Sequence, residues 1–359
     1  MRTEIFEEMA AGAYENLFFC EDKSVGLHAI IAIHSTALGP AIGGVRLWPY
    51  PDEDVALQDA LRLARAMTYK CAAAGLDAGG GKTVIWGDSA KKQPEMFRSL
   101  GRFIERLGGS YVAGEDVGTT PEDMAVVAQE TRHVMAHTEL PPYAVTAYGI
   151  YYGIRACLTA RFGHPEVRGR TFAVQGCGLV GMVLMELLYK EGAHLIAADV
   201  DPNKTKRAAT QFGAKIVAAE AIFDEACDVF SPCAMGGILN DATIPRLQCA
   251  IVAGSTNNQL LEERHGELLQ RRGILYAPDY VINAGGAIYL VTRTLYGEHD
   301  TQKILARVAG IGDAMARILA LAQQQGIPTH RAAEQIAQRR LAAAQHSFWL
   351  PSNAPMASV

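Results

Sequence analysis

The second half of the chain alternates short apolar runs with amphipathic stretches, and this alternation constrains the fold strongly. Strands are predicted at Thr171–Gln175 and His194–Ala198, with a helix at Val180–Glu191 between them. Two further apolar runs, Asp228–Ser231 and Ala250–Gly254, continue the pattern. Strands that alternate with helices form a parallel sheet covered on both faces. The sequence therefore predicts a doubly wound α/β domain of the Rossmann type.

Three glycines lie at the junction between the first of these strands and its helix, with the spacing G-x-G-x-x-G. In this context the first glycine makes a tight turn, the second lets a pyrophosphate approach the backbone, and the third lets helix and strand pack closely. The N–H groups at the helix N-terminus favour phosphate. The alternative is a glycine turn without a ligand. The loop predicted to bind a dinucleotide consists of Gly176, Cys177, Gly178, Leu179, Val180 and Gly181.

An acidic residue, Asp199, stands at the end of the second strand of this unit. A carboxylate at this place accepts hydrogen bonds from the adenosine ribose hydroxyls and repels a 2′-phosphate. The sequence therefore predicts NAD as the cofactor in preference to NADP.

Two lysines, Lys70 and Lys82, lie in an almost uncharged run of the first half, and Gly79–Gly81 directly precede the second. A lysine in apolar surroundings is costly unless it has a partner or loses its proton. Three successive glycines let the backbone approach a ligand closely. The run predicts a site that holds a small anion near an amine of lowered pKa. The alternative is a helix-to-strand turn whose lysines extend to solvent.

A short strand at 111–114 delivers a further charged residue, Asp116, from another apolar segment. If Lys70, Lys82 and Asp116 meet in a cleft facing a nicotinamide, they support a mechanism. One lysine holds a substrate carboxylate, the other acts as general base, and Asp116 relays a proton.

Composition excludes several classes of function. The chain has 359 residues, enough for about two domains, and a net charge of −5 without a basic block, which argues against nucleic-acid binding. No apolar run reaches membrane-spanning length and the N-terminus is unlike a signal peptide, so we expect a cytoplasmic protein. The seven cysteines contain no Cys-x-x-Cys pair. We therefore predict small buried thiols, with neither a disulfide framework nor a metal site.

Apolar patterning and capping signals place further elements along the chain. A segment at 137–144, with two prolines, predicts a domain boundary. The chain is predicted to be helical from about residue 301 to about residue 345. The other predicted elements are a helix at 2–12, strands at 17–20 and 27–34, a helix at 54–72, a strand at 83–86, a helix at 94–107 and a helix that begins at 119–123.

Several motifs resemble those of the glutamate/leucine/phenylalanine/valine amino acid dehydrogenase superfamily, in its leucine and phenylalanine (tryptophan) branch. They run in family order over nearly the whole chain. These motifs are Leu38-Gly-Pro-Ala-Ile-Gly-Gly, Met67-Thr-Tyr-Lys, Gly79-Gly-Gly-Lys, Glu115-Asp-Val-Gly-Thr, Gly254-Ser-Thr-Asn-Asn-Gln-Leu and Pro278-Asp-Tyr-Val-Ile-Asn-Ala-Gly-Gly.

The resemblance implies roles for five residues of the first half. Lys70, with the backbone near Gly43 and Gly44, binds the substrate α-carboxylate. Lys82 is the catalytic lysine that activates water, and Asp116 handles the proton on the amine nitrogen.

It also implies roles for residues of the second half. Asn258 matches a substrate-side asparagine. Thr146, Ala234, Asn257 and Asn283 match positions around the nicotinamide and its ribose. The alternative is that these polar residues satisfy buried backbone groups.

The implied side-chain pocket is apolar and carries no cation for a second carboxylate, so glutamate is disfavoured. Its glycine and alanine enlarge it relative to relatives that act on branched aliphatic substrates. Phenylalanine is therefore expected, with tryptophan as a further candidate and leucine or valine as the alternative. The substrate-side apolar positions are Ile42, Met67, Gly114, Ala287 and Leu290.

The implied reaction is reversible oxidative deamination of an L-amino acid to the 2-oxo acid and ammonia. Residues 1–143, completed by a C-terminal helix at 326–359, form the substrate and catalytic domain, and 144–325 form the NAD domain. A homo-oligomer, a dimer or larger, is implied. Two alternatives are a hydroxy-acid dehydrogenase, which usually pairs histidine with a carboxylate, and an NAD-sensing binding protein. Neither explains a buried pair of lysines.

Overall fold

The structure, a computed structural model, describes residues 4–136 and 140–344, and these form two compact units. The first unit comprises the described residues of Met1–Glu139, Leu290–Glu298 and Ala337–Val359. The second unit comprises those of Leu140–Tyr289 and His299–Ile336.

Four predicted segments lie partly outside the described residues. These are the helix at 2–12, without residues 2 and 3, the boundary segment at 137–144, without 137–139, the helical region at 301–345, without 345, and the C-terminal helix at 326–359, without 345–359. The assignment of substrate and NAD domains to residues 1–143 and 144–325 stays a prediction. Within the described part of the chain, no helix is both long and apolar enough to cross a bilayer.

A five-stranded mixed sheet forms the centre of the first unit. The order is β1-β2-β4-β3-β5, in which β1, β2 and β4 pair antiparallel while β3 pairs parallel to β4 and β5. Sequence patterns predict four of these strands but not β3, because its two glycines weaken the strand signal. The strands are β1 Asn16–Asp22, β2 Leu27–Ser35, β3 Ala41–Trp48, β4 Gly79–Trp86 and β5 Tyr111–Glu115.

Helices cover both faces of this sheet. Along β2, Ile31 and Ile33 belong to the apolar cluster that includes α3, whereas Ile30 and Ala32 belong to the cluster that includes α2. This alternation follows from the two-residue period of a strand. The predicted start of α4 is confirmed, with Thr120 as its N-cap. The helices are α1 Ile5–Gly12, α2 Glu53–Ala73, α3 Pro94–Glu105 and α4 Pro121–Val127.

The three glycines before Lys82 belong to β4 and pack against the protein itself. A Cβ atom on Gly79 would lie 1.9 Å from the carbonyl oxygen of Ser35, and one on Gly80 would lie 2.1 Å from the backbone nitrogen of Thr68. The glycines therefore allow β2 and α2 to approach β4 closely. The prediction that they approach a ligand was wrong, because protein atoms occupy the space beside them.

A six-stranded parallel sheet forms the centre of the second unit, as the alternating pattern predicts. Its order is β11-β10-β9-β6-β7-β8. From β6 the chain first adds strands towards one edge of the sheet (β7, β8) and then, starting with β9, towards the other edge. Doubly wound sheets bind their ligands at such a switch point. The strands are β6 Thr171–Gln175, β7 His194–Ala198, β8 Lys215–Ile216, β9 Ala226–Pro232, β10 Gln248–Val252 and β11 Leu275–Tyr276.

The predicted helical region after residue 300 consists of two helices, α11 Thr301–Gln325 and α12 Thr329–Ala344. Gly326 adopts a positive φ of 68° and ends the first, and Pro328 follows it. A left-handed glycine followed by proline ends a helix because neither continues its hydrogen-bond ladder. The remaining helices are α5 Pro142–Phe162, α6 Leu179–Lys190, α7 Pro202–Phe212, α8 Arg264–Arg271, α9 Asp279–Ile282 and α10 Gly285–Thr294.

Four of the seven cysteines are buried, as predicted, whereas the other three are partly exposed. The partly exposed cysteines are Cys227, Cys233 and Cys249.

Candidate active site

Lys82 lies on β4 with only 6% of its side chain exposed. Its Nζ atom is 2.8 Å from Oδ2 of Asp116. Burial lowers the pKa of the Lys82 amine, although the neighbouring Asp116 carboxylate acts in the opposite direction. The structure therefore contains a buried amine whose proton is held less tightly than that of a solvated lysine.

Asp116 follows the last residue of β5 and is partly exposed, with 23% of its side chain accessible. Burial acts to raise its pKa, but Lys82 and Arg46 together hold the pKa below the ordinary value. The Asp116 backbone N–H donates a 3.0 Å hydrogen bond to Oγ1 of Thr119, which fixes the turn after β5. A carboxylate in this setting is ionised at neutral pH.

Arg46 is a third charged member of this cluster, and sequence reasoning missed it. Its Nε atom donates to Oδ2 of Asp116 at 2.9 Å, and its Nη1 atom donates to Oδ2 of Asp59 at 2.9 Å. The Tyr50 hydroxyl donates to that same Asp59 oxygen at 2.6 Å. Arg46 is two residues from Gly44 on β3, so both residues lie on the same side of the sheet. This spacing is the sequence signal that could have identified Arg46.

Gly44 brings the backbone of β3 directly against the Lys82–Asp116 pair. A Cβ atom at this position would lie 2.7 Å from Cβ of Asp116 and 3.2 Å from Nζ of Lys82. Gly43 lies on the same strand, where a Cβ atom would meet the backbone of Gly81. The two glycines therefore let β3 pack closely against β4 and against the Lys82–Asp116 pair.

Lys70 and Met67 lie near the C-terminal end of α2, and both are half-buried. The neighbouring Thr68 is the residue that packs against Gly80 of β4. This contact joins the end of α2 to the strand that carries Lys82, two residues beyond Gly80.

The glycine loop of the second unit has the geometry of a phosphate cradle. Gly176 adopts a φ of 100°, a conformation that favours glycine. A Cβ atom on Gly181 would lie 2.1 Å from the Gly176 carbonyl oxygen, so this glycine lets α6 pack on the loop. A Cβ atom on Gly178 would meet no protein atom within 4 Å. The open space at Gly178, at the N-terminus of α6, fits a pyrophosphate.

Other predicted loop residues flank this cradle. Leu179 and Val180 open α6, and Leu179 is 64% exposed. The backbone N–H of Cys177 donates to Oδ2 of Asp199 at 2.8 Å, and that of Asp201 donates to Oδ1 at 2.9 Å. The carboxylate of Asp199 is therefore held at the end of β7, beside the loop.

Of the polar residues predicted to surround the nicotinamide, the structure brings Asn257 and Asn283 into contact. Asn283 donates from Nδ2 to Oδ1 of Asn257 at 2.7 Å. Asn258 adopts a left-handed φ of 53°, a conformation that is uncommon outside glycine and often found at functional sites. A Cβ atom on Gly176 would lie 2.9 Å from the backbone nitrogen of Ala234.

Thr146 instead donates its hydroxyl to the Pro142 carbonyl oxygen at 2.9 Å, within α5. This bond satisfies a backbone group, which is the alternative role that the sequence left open.

The apolar substrate-side positions lie on β3, α2, β5 and α10. Ile42 is buried and Gly114 faces Met135, whose Cε atom would lie 2.9 Å from a Cβ atom at Gly114. Ala287 and Leu290 are half-buried and three residues apart on α10, so they share a face of that helix. Sequence reasoning missed Met135, because it lies after the Ala113–Val134 bridge and far from Gly114 in sequence.

Comparison with known proteins identifies the class. Residues 17–133 match the Glu/Leu/Phe/Val dehydrogenase dimerisation domain, and residues 198–347 match the Glutamate/Leucine/Phenylalanine/Valine dehydrogenase family. The chain is 49% identical to leucine dehydrogenase of Thermoactinomyces intermedius, over 94% of this chain and 93% of that protein. It is 44% identical to phenylalanine dehydrogenase of Caldalkalibacillus thermarum, over 99% and 98%.

A solved structure extends the likeness to the whole fold. The crystal structure of L-tryptophan dehydrogenase from Nostoc punctiforme has a TM-score of 0.86 and 41% identity, covering 95% of this chain and 100% of that one. The chain belongs to the Glu/Leu/Phe/Val dehydrogenase family. It is an amino acid dehydrogenase, an oxidoreductase that acts on a CH–NH2 donor by oxidative deamination. The family uses a nicotinamide cofactor, which the glycine cradle and Asp199 fit.

Proposed function

We propose that the protein catalyses the NAD-dependent, reversible oxidative deamination of an apolar L-amino acid, with Lys82 and Asp116 as catalytic residues. The observation that carries this proposal is the buried Lys82 amine, which lies 2.8 Å from the Asp116 carboxylate. A buried ion pair contributes little net stability, because the cost of desolvating both charges offsets their attraction, so a functional role explains the pair better than a structural one.

Lys82 is the general base in this proposal. Its burial lowers the pKa of the amine, so the neutral form is reached at lower pH than for a solvated lysine. The neutral Nζ atom takes a proton from water, and the resulting hydroxide attacks the imino carbon. The Nζ proton is later available for the departing ammonia.

Asp116 moves the proton on the substrate nitrogen. Its carboxylate is ionised at neutral pH and accepts a proton from the substrate ammonium group. Lys70, with the glycine backbone at Gly43 and Gly44, holds the substrate α-carboxylate by charge-assisted hydrogen bonds. By resemblance to the family, Asn258 is a further residue that orients the substrate.

A bound nicotinamide cofactor would supply the acceptor for the hydride of the substrate Cα. The loop from Gly176 to Gly181 holds its pyrophosphate, and Asp199 accepts hydrogen bonds from the adenosine ribose. Because a carboxylate repels a 2′-phosphate, we propose NAD rather than NADP. Asn257 and Asn283, which already bond to each other, contact the nicotinamide ribose, and Thr146 and Ala234 flank it.

An aromatic substrate, phenylalanine or tryptophan, is the first choice for the side-chain pocket. By resemblance to the family, the positions that line it are Ile42, Met67, Gly114, Ala287 and Leu290. Of these, Gly114 has no side chain and Ala287 has only a methyl group. A larger apolar pocket gains about 25 cal/mol for each additional Å² of substrate surface that it buries.

Leucine or valine is the second candidate, and one observation favours it. The Cε methyl of Met135 occupies the space beside Gly114, so part of the volume that the glycine releases is filled. A methionine side chain is flexible and can move aside for a ring, but doing so costs contacts that a smaller substrate leaves intact.

The substrate test is a steady-state comparison of kcat/KM for phenylalanine, tryptophan, leucine, valine and glutamate, followed by NADH formation. We expect an aromatic substrate to lead and glutamate to be the poorest. A preference of about tenfold or more for leucine or valine would establish the second candidate. The absence of NADH formation with every amino acid would contradict the proposed reaction.

A homo-oligomer is also proposed, since residues 17–133 match a family domain named for dimerisation. A cytoplasmic location stays a prediction.

A further inference from the structure

Arg46 occupies an unusual place between two carboxylates. One edge of its guanidinium, Nε, bonds to Asp116, and Nη1 bonds to Asp59, each at 2.9 Å. Its side chain is only 21% exposed. A guanidinium with two fixed carboxylate partners has a single orientation, because its planar donors leave little freedom to rotate.

Asp59 is itself anchored. The buried Tyr50 donates its hydroxyl to the Asp59 oxygen that Arg46 also uses, and Arg62 binds the other oxygen at 2.6 Å. Only 14% of the Asp59 side chain is exposed, whereas Arg62 is 54% exposed. Asp59 therefore has an inner partner, Arg46, and an outer partner, Arg62.

The same Asp116 oxygen, Oδ2, accepts from both Arg46 and Lys82. Both cations therefore hold the same oxygen of the Asp116 carboxylate, which fixes this oxygen beside the Lys82 amine. We propose that Arg46, anchored by Asp59 and Tyr50, is a positioning residue that holds the Asp116 carboxylate against the Lys82 amine. This inference rests on the proposed function, because it assigns a role through Lys82 and Asp116.

The charged residues around the Lys82–Asp116 pair act on the pKa of Lys82 in opposite directions. Arg46 acts to lower the pKa of Lys82, whereas Asp59 and Asp116 act to raise it. Tyr111 also interacts electrostatically with Asp116, and burial raises the pKa of its hydroxyl so that it stays neutral. Removing the Arg46 charge should therefore raise the pKa of Lys82, and removing the Asp59 charge should lower it.

The experiment measures kcat/KM for deamination against pH with one amino acid, so that titration of the free substrate is common to all variants. Arg46→Met should move the alkaline rise to higher pH and reduce the maximal rate by about 10- to 100-fold, as loss of an outer partner of a functional group does. Asp59→Asn should move the rise to lower pH, because asparagine keeps an acceptor for Arg46 but loses the charge.

Conservative and control variants separate positioning from folding. Arg46→Lys should restore the position of the rise but only part of the rate, because one ammonium cannot replace the fork between two carboxylates. The double variant Arg46→Met/Asp59→Asn removes one charge of each sign, so it stays folded if the loss of its inner partner at Asp59 destabilises the single variant. Arg62→Met, which removes the outer partner of Asp59, should leave the rate nearly unchanged.

Opposite shifts for Arg46→Met and Asp59→Asn support the inference. It is overturned if both variants shift the rise in the same direction, or if neither shifts it while Tm falls. If Lys82→Ala retains turnover, the proposed function fails. If Lys82→Ala is inactive and the Arg46 and Asp59 variants keep the wild-type profile, the positioning role alone fails.

Discussion

The first unit contains a cluster of four charged side chains, Arg46, Asp59, Lys82 and Asp116, and the second unit contains the glycine cradle. These two regions are built in opposite ways. The cluster assembles charged side chains from β3, β4, the turn after β5 and α2, which are far apart in sequence. The cradle consists of backbone groups within the six residues from Gly176 to Gly181. Proton transfer needs groups of tuned pKa, whereas phosphate binding needs only free N–H groups and space. We expect the two regions to be separable by substitution.

The largest expected effect is at Lys82. Lys82→Ala should reduce kcat by about 10²–10⁴-fold because the general base is lost. It should still bind NADH, since the cradle belongs to the other unit. The measurements are turnover and an NADH fluorescence titration. Lys92→Ala is the matched control, because Lys92 also pairs with an aspartate of the first unit, Asp123, at 2.5 Å. Near wild-type turnover in Lys82→Ala would exclude a catalytic role.

The next effect contrasts two glycines of the cradle. Gly181→Ala places a Cβ atom 2.1 Å from a carbonyl oxygen and should cost about 1–3 kcal/mol of stability, seen as a lower Tm. Gly178→Ala meets no protein atom within 4 Å and has a negative φ of −76°, so Tm should not change. It should instead weaken NADH binding by roughly tenfold, about 1.4 kcal/mol. Unchanged NADH affinity in Gly178→Ala would contradict the proposal that this loop binds the pyrophosphate.

A smaller effect is expected at Asp199. Asp199→Ser removes both the ribose hydrogen bonds and the repulsion of a 2′-phosphate, so the ratio of kcat/KM for NAD to that for NADP should fall. Asp201→Ser is the control, because Asp201 caps α7 by accepting from Asn203 at 2.9 Å and should affect stability alone. Equal use of both cofactors by the wild type would refute the role of Asp199.

The smallest effect concerns Met135. Met135→Ala should open the space beside Gly114 and shift kcat/KM towards phenylalanine relative to leucine, by about tenfold or less. Gly114→Ala should shift the ratio the other way, because its Cβ atom would meet the Met135 methyl at 2.9 Å. If both variants leave the ratio unchanged, neither residue borders the substrate side chain.

The two regions also differ in how much of them the sequence predicts. The cradle is local, so the glycine spacing, the preceding strand and Asp199 suffice to predict it. Lys82 and Asp116 were predicted from charges within apolar runs and from family motifs. Arg46 and Asp59 were missed, because only the register of β3 against β4 and β5 and the docking of α2 bring them to Asp116.

The glycines before Lys82 illustrate the same limit. Their sequence fits either a ligand loop or a closely packed strand, and the choice depends on the distant Ser35 and Thr68 backbones. Likewise, the missing side chain of Gly114 suggests a larger pocket, but Met135 from another segment fills part of that space. Local conformation is therefore predictable where neighbours in sequence determine it, and less so where tertiary contacts decide.

The most direct test of the account is the pH dependence of kcat for oxidative deamination at saturating amino acid and NAD. Burial lowers the pKa of Lys82 below its ordinary value of 10.5, and the base is active only when neutral. We expect kcat to rise with pH through this lowered pKa and to level off above it. A kcat that does not change between neutral and alkaline pH would contradict a buried lysine as the catalytic base.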